Sequence, residues 1–409
     1  MGNRLLSILE VPVNSILRFL IFILLFILLI FGVSFTKFNL GGALYINDLL
    51  LVIITSIAFF VNPNAKIPLG FFLFSFISLL YFLLSILMNN KTSLVYTFRQ
   101  FMICGYFIEA LVIFTSLFPN VDKFSSLLKF IKHFALIALI VDTLYVLFLV
   151  SSGLPIYGDS IYIYISPIAV LGVVVYFSLV LNSSERFRIP KLLWAFCLLV
   201  FTGHASAVLG VVVILILHIG TYMRPALKIV SSSLGIIAIP IAILAFRSLS
   251  DANAIWRLVY WGVTAKKIFI EKVGILGHGF GVRYADEELS RILQEVYKFS
   301  ATLTNEQDAF VTPLHNAFLT FSFHVGFLLS LIIMIPIIKA IIRGQAYREN
   351  GRIRISKDER FLAQSVVGLS IWVGFNVILE LPHSSLFFWL IFFLFYMYRR
   401  FYPPEIKAE

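Results

Sequence analysis

The sequence predicts an all-α integral membrane protein of about twelve transmembrane helices, with one large loop between the ninth and tenth. Three observations lead there. Hydrophobic residues make up 60% of the chain and charged residues only 13%, with a mean hydropathy of +0.98, more apolar surface than a water-soluble fold can bury. Apolar runs recur at about 20 residues, the length a helix needs to cross roughly 30 Å of hydrocarbon, and the ~10-residue alternation of an outer-membrane barrel is missing. Lys and Arg gather on alternate connections, the mark of cytoplasmic loops.

In chain order the apolar runs place spans near 15–35, 46–62, 68–88, 96–118, 128–150, 165–182, 191–203, 206–222, 229–247, 317–342, 361–381 and 384–401. The seventh and eighth are parted only by Thr202-Gly203-His204-Ala205-Ser206. With the N-terminus in the cytoplasm, the inner connections collect Lys66, Lys123, Lys129, Lys132, Arg186, Arg188, Lys191, Arg224 and Lys228. Further along they collect Lys339, Arg343, Arg348, Arg352, Arg354, Lys357, Arg360, Arg399, Arg400 and Lys407, whereas the short outer loops keep Lys37 and Lys91. Both termini are therefore expected in the cytoplasm and the loop 248–314 outside. The net charge of +11 becomes mostly a topological signal, with contact to anionic membrane lipid secondary and no nucleic acid implied.

The run Ile16 to Phe35 has no small-residue cleavage site after it and reads as a first span, not a removed signal peptide. Cys104 and Cys197 both lie in apolar runs, which points to neither a disulfide framework nor a thiolate metal site. No internal repeat or nucleotide-binding motif is evident, so 1–409 reads as a single membrane domain.

Within the loop, Ala254 to Lys272 has the spacing of an amphipathic helix at an interface, with Trp256, Tyr260 and Trp261 suited to headgroup depth. Gly274-Ile275-Leu276-Gly277-His278-Gly279-Phe280-Gly281 follows, a backbone able to turn tightly and approach a ligand closely. Asp286 to Gln294 reads as a short polar helix, and Thr302 to Thr312 as an irregular return, with Pro313 suited to the first turn of the next span. That return delivers Leu314-His315-Asn316 to the membrane edge. Among ionisable groups inside spans, Arg99 and Asp142 are candidates for an ion pair, with Arg99 facing substrate as the alternative; Glu109 has no evident partner.

His315-Asn316, nine residues and then Gly326-Phe327-Leu328-Leu329 resembles the signature of the bacterial O-antigen ligase and polymerase family. The layout agrees: the motif ends the largest loop, and Arg257 and Trp261 precede the Gly277 to Gly281 stretch. The resemblance covers the whole chain in layout, and specific residues from about 200 to 330. Two positions depart from it. Leu329 stands where the ligase form prefers Gly, Thr or Tyr, and Ala205 stands where the family often has the arginine of Thr-Gly-Ser-Arg.

The resemblance implies a GT-C-like glycosyltransferase of the bacterial inner membrane, with its large loop periplasmic, which takes a glycan from undecaprenyl pyrophosphate. The acceptor would be another lipid-linked repeat for a polymerase, to which the two departures incline the reading, or lipid A core for a ligase. A chain-length regulator protein is a further expected partner. Such a reaction needs a base or orienting group for the attacking hydroxyl and cations for the departing pyrophosphate. His315 is the candidate for the first and Arg257 for the second, with Asn316 fixing the local backbone or bonding sugar. His278 and Arg283 are further binding candidates. His204 is a possible substitute for the charge missing at Ala205, and Glu380 and His383 flank Pro382 where they could line the same cavity. No cofactor is expected, and without an Asp-x-Asp pair or a His/Cys cluster on the outer face, no metal. The rival of another class is a transporter or flippase of lipid-linked sugars, which broken helices and matched repeats would favour.

Overall fold

The computed structural model describes residues 2–36, 39–41, 44–63, 65–88, 93–153, 166–202, 204–222, 252–270, 274–284, 291, 314–345, 348–349, 352–353, 355–376 and 378–403. The predicted ninth span, the helix at 286–294 and the return at 302–312 lie outside the described residues, apart from Arg291. What is described is a helical bundle with two minimal hairpins, Asn39–Gly41 with Leu44–Tyr45, and Arg348–Glu349 with Arg352–Ile353.

The first helices are α1 (Gly2–Thr36), α2 (Ile46–Val61), α3 (Leu69–Met88), α4 (Leu94–Leu117) and α5 (Val121–Ser151). They are followed by α6 (Pro167–Leu181), α7 (Arg188–Phe201), α8 (Ala205–Gly220) and α9 (Ala252–Ile270). The chain closes with α10 (Ala317–Val325), α11 (Phe327–Gly344), α12 (Lys357–Val373) and α13 (Pro382–Phe401). Local chemistry sets several starts. Asn120 caps α5 by accepting from the Lys123 N–H at 3.0 Å, Ser356 caps α12 through Glu359 N–H at 3.0 Å, and Pro382 opens α13 where no amide donor is needed.

Five helical stretches are long and apolar enough to cross a membrane, Val13–Gly32, Leu69–Met88, Leu94–Leu117, Val121–Ser151 and Phe327–Gly344, and shorter apolar helices accompany them. Their packing agrees with a hydrocarbon surround. Leu386 to Phe395 of α13 are buried at every position, as is most of α4 and α6, so these helices form the centre. On α3 the opposite holds: Leu69, Leu73, Phe76, Leu80, Leu83 and Leu87 form an exposed apolar stripe, and Leu136, Ile140, Leu144 and Leu147 do the same on α5. At roughly 25 cal/mol per Å² such stripes would be costly in water, and a hydrocarbon surround removes that cost. The chain is a membrane protein.

The tenth predicted span is not one helix. It breaks at Gly326, where φ is +86°, into α10 and α11. The glycine-rich segment 274–284 docks against this break. His278 N–H donates to the Phe323 carbonyl at 2.8 Å, Gly279 N–H to His324 at 3.0 Å, and Phe327 N–H to Ile275 at 3.1 Å. Ser85 and Gln100, from α3 and α4, take the next amides of the segment, at Phe280 and Gly281, at 2.9 and 2.7 Å. Irregular backbone within a membrane protein survives when its polar groups are satisfied in this way. A Cβ on Gly277 would sit 2.4 Å from Gly326 N, and one on Gly326 2.5 Å from the Ile275 carbonyl. The glycines therefore serve backbone-to-backbone contact where the sequence suggested approach to a ligand. Gly326→Ala combines this collision with a left-handed φ, and is expected to remove most monodisperse protein from detergent extracts; wild-type yield and melting temperature would contradict the packing.

Candidate functional site

His315 is reached through the packing of α9 on α10. Tyr260 and Ile268 of α9 are buried against Leu314 and Phe323, with Tyr284 from the glycine segment closing the cluster. Part of the apolar side of the predicted interfacial helix thus lies on protein, while Leu258 and Phe269 stay exposed. Trp261, expected at headgroup depth, is half-buried and donates its indole N–H to the Leu314 carbonyl at 2.6 Å. That bond fixes the backbone immediately before His315.

Among the described residues, His315 is the only non-glycine residue with positive φ, at 51°. A histidine held in the left-handed region costs on the order of 1–3 kcal/mol and persists only where its surroundings impose it. Asn316 supplies part of that constraint: its side-chain oxygen accepts from Phe318 and Leu319 N–H, both at 3.1 Å, and caps α10. Of its two expected roles, the structure assigns Asn316 the backbone one. α10 accordingly begins at Ala317, and Pro313 lies outside the described residues.

Arg257, one turn of α9 before Trp261, donates to the Phe375 carbonyl at 3.4 Å, and the Trp261 ring lies 5.3 Å from that of Phe375. Arg257 is also near enough to His315 to affect its proton affinity. Burial first, and the Arg257 charge second, push the His315 imidazole down to about 4. At neutral pH the ring is a neutral proton acceptor beside a fixed cation.

The turn after α12 extends this corner to a third element. Asn376 donates to Ser206 Oγ at 2.7 Å, and the His204 ring lies 5.5 Å from that of Trp372. The 372–376 segment therefore draws the 202–206 break, Arg257 and the His315 edge together. Burial pushes the His204 imidazole down to about 4 as well, so it is neutral here and does not restore the positive charge absent at Ala205. It offers a hydrogen-bonding group in that place.

The other candidates fall elsewhere. His278 stacks on Phe323 at 4.5 Å, eight residues and roughly 12 Å along the chain of α10 from His315, and so belongs to the helix break. Arg283 is exposed beyond it. Arg99 does not pair with Asp142: its guanidinium lies 3.5 Å from Tyr106 Oη and 5.2 Å above the Tyr45 ring, within reach of the Asp48 charge. Tyr106 in turn donates to Asp48 at 2.5 Å. Asp142 is buried with no hydrogen bond to its carboxylate among the described residues. Glu109, buried in the same helix as Arg99, also lies within range of Asp48. Glu380 accepts from Thr320 Oγ1 at 3.1 Å, one turn into the helix that follows His315, and feels the charge of Arg99. It backs the His315 helix; the side chain of His383 lies outside the described residues.

Phe375, Asn376 and Trp372 escaped the sequence reading, and Ser206 entered it only as the end of the 202–206 break. An Asn and a Gly inside an apolar run were the available signal, hidden because the eleventh span was extended through them to 381. No family model, no curated protein and no solved structure matches this chain. The fold and the corner around His315 thus define an all-helical membrane protein with a neutral histidine set beside an arginine.

Proposed function

We propose that the chain is a twelve-span glycosyltransferase of the bacterial cytoplasmic membrane, with cytoplasmic termini and a periplasmic loop 248–314, that polymerises undecaprenyl-pyrophosphate-linked repeats. One observation carries the reading: Arg257 and His315, from opposite ends of that loop, lie within electrostatic reach at one half-buried corner. In the reaction the acceptor hydroxyl oxygen bonds to the anomeric carbon while the bond from that carbon to pyrophosphate breaks. The hydroxyl proton passes to the His315 ring, and the electron pair leaves on a phosphate oxygen facing Arg257. Bound pyrophosphate also offsets the Arg257 charge, which raises the proton affinity of His315 when a base is needed. Trp261 and Asn316 hold the acceptor ring in place from either side of the backbone.

The departures at Ala205 and Leu329 favour polymerase over ligase. The break at Gly326 is the kind of feature a transporter would use, but the glycine segment occupies the Phe323 and His324 carbonyls and the Phe327 amide there. His315→Ala in cells is expected to collapse the ladder of polymer lengths to single repeats at normal membrane abundance. A normal ladder at that abundance would remove the catalytic assignment.

A further inference from the structure

At the opposite end of α11 from the Gly326 break, a cavity of about 390 Å³ lies between the start of α3, the second half of α11 and the end of α13. That volume is typical of ligand clefts. Its walls are of two kinds: Ile67, Pro336 and Phe395 are apolar, and Lys339, Arg343 and Arg400 are cationic, with no acidic residue among the lining. The nearest paired carboxylate is Glu359, which holds Arg343 at 3.3 Å and Arg399 at 2.7 Å. Among the described residues, one negative charge therefore faces four positive ones. Lys339 and Arg400 are exposed and form no ion pair among the described residues.

Arg343 is held with its guanidinium 5.2 Å from the Phe395 ring, so the charge lies directly against the apolar wall. Pro336 cannot donate to the Ile332 carbonyl and loosens α11 where it borders the cavity. Beside the mouth, Ile335, Ile338 and Ile342 project outward as part of the apolar belt. A soluble phosphate would use the cations and leave the apolar wall and belt unused. A headgroup phosphate with attached acyl chains uses both.

We infer that this cavity binds the headgroup of an anionic phospholipid, whose chains run along the exposed face of α11. Its assignment to the inner leaflet rests on the orientation proposed above; the binding itself rests on the cavity alone.

The test is lipid retention by the full-length protein in detergent, read by native mass spectrometry against phosphatidylglycerol, phosphatidylethanolamine and inorganic phosphate. Phosphatidylglycerol is expected to be retained about tenfold better than phosphatidylethanolamine, and not displaced by millimolar phosphate. At about 1 kcal/mol per basic residue, Lys339→Gln with Arg400→Gln should lower that retention roughly 30-fold, whereas Lys339→Arg with Arg400→Lys should keep it. Equal retention of the two lipids by the wild type, or unchanged retention in the glutamine variant, would overturn the inference. Displacement by inorganic phosphate would overturn it in favour of a free-anion site. Orientation is read separately, by an impermeant maleimide on Lys339→Cys in a Cys197→Ser background. Labelling from outside sealed cells would reverse the topology and leave the lipid preference standing.

Discussion

Glycine at position 315 is expected to leave the melting temperature at or slightly above that of the wild type while abolishing glycan elongation. The backbone there has φ 51°, which glycine adopts freely, so the strain of roughly 1–2 kcal/mol is relieved. Greater freedom of the unfolded chain returns part of that, about 0.5–1 kcal/mol. The substitution also removes a half-buried imidazole whose proton affinity the fold depresses to about 4. Between pH 6.5 and 4 the unfolded chain protonates this histidine and the folded chain does not, so the group destabilises the wild type increasingly as pH falls through that window. His315→Gly should accordingly lose part of the acid sensitivity of stability. Elongation should fall by about 10² to 10⁴, the usual worth of a positioned base. A large drop in melting temperature together with retained elongation would identify His315 as structural.

Arg257→Lys should cost nearly as much activity as Arg257→Gln. Guanidinium can donate to the Phe375 carbonyl and still present a fork of N–H groups to phosphate, whereas a single ammonium cannot do both. Loss of a cation that meets charge developing in the transition state costs about 10² to 10³, and appears in kcat more than in KM. The glutamine variant carries a second signature. With the Arg257 charge gone, His315 regains the Arg257 share of its depression, the smaller of the two, and the acid limb of the activity profile moves up with it. An arginine that only anchors α9 would move that limb as well, so the deciding readout is kcat, which lysine would then restore in full.

Much of the bundle is legible because hydropathy alone marks where a helix can meet lipid. The third span, read as 68–88, is Leu69–Met88, and the fourth, read as 96–118, is Leu94–Leu117. The break at Gly326 was not legible, because single glycines and small polar residues are common within membrane spans and the cause is a docked segment some fifty residues earlier in the chain. For the same reason the glycines near His278 suggested a ligand contact: sequence records that a close approach is allowed, not which backbone makes it. At the candidate site, His315 and Arg257 stood out as charged or titratable groups at the rim of a loop. The Phe375 and Leu314 carbonyls that hold Arg257 and Trp261 could not, since a backbone oxygen has no residue code. Arg99 was visible as an intramembrane cation, but Asp48, whose charge reaches it and which accepts from Tyr106, was hidden in the first polar turn of α2, where an acid reads as a helix start.

The most direct measurement is elongation by the purified protein in liposomes supplied with undecaprenyl-pyrophosphate-linked repeats, without lipid A core and in the presence of EDTA. The wild type is expected to convert single repeats into a ladder of longer lipid-linked glycans, and His315→Gly, at equal reconstitution, to leave them single. Ladders of equal length from both proteins would contradict the role of His315, and no elongation by a folded wild type until lipid A core is added would contradict the polymerase reading itself.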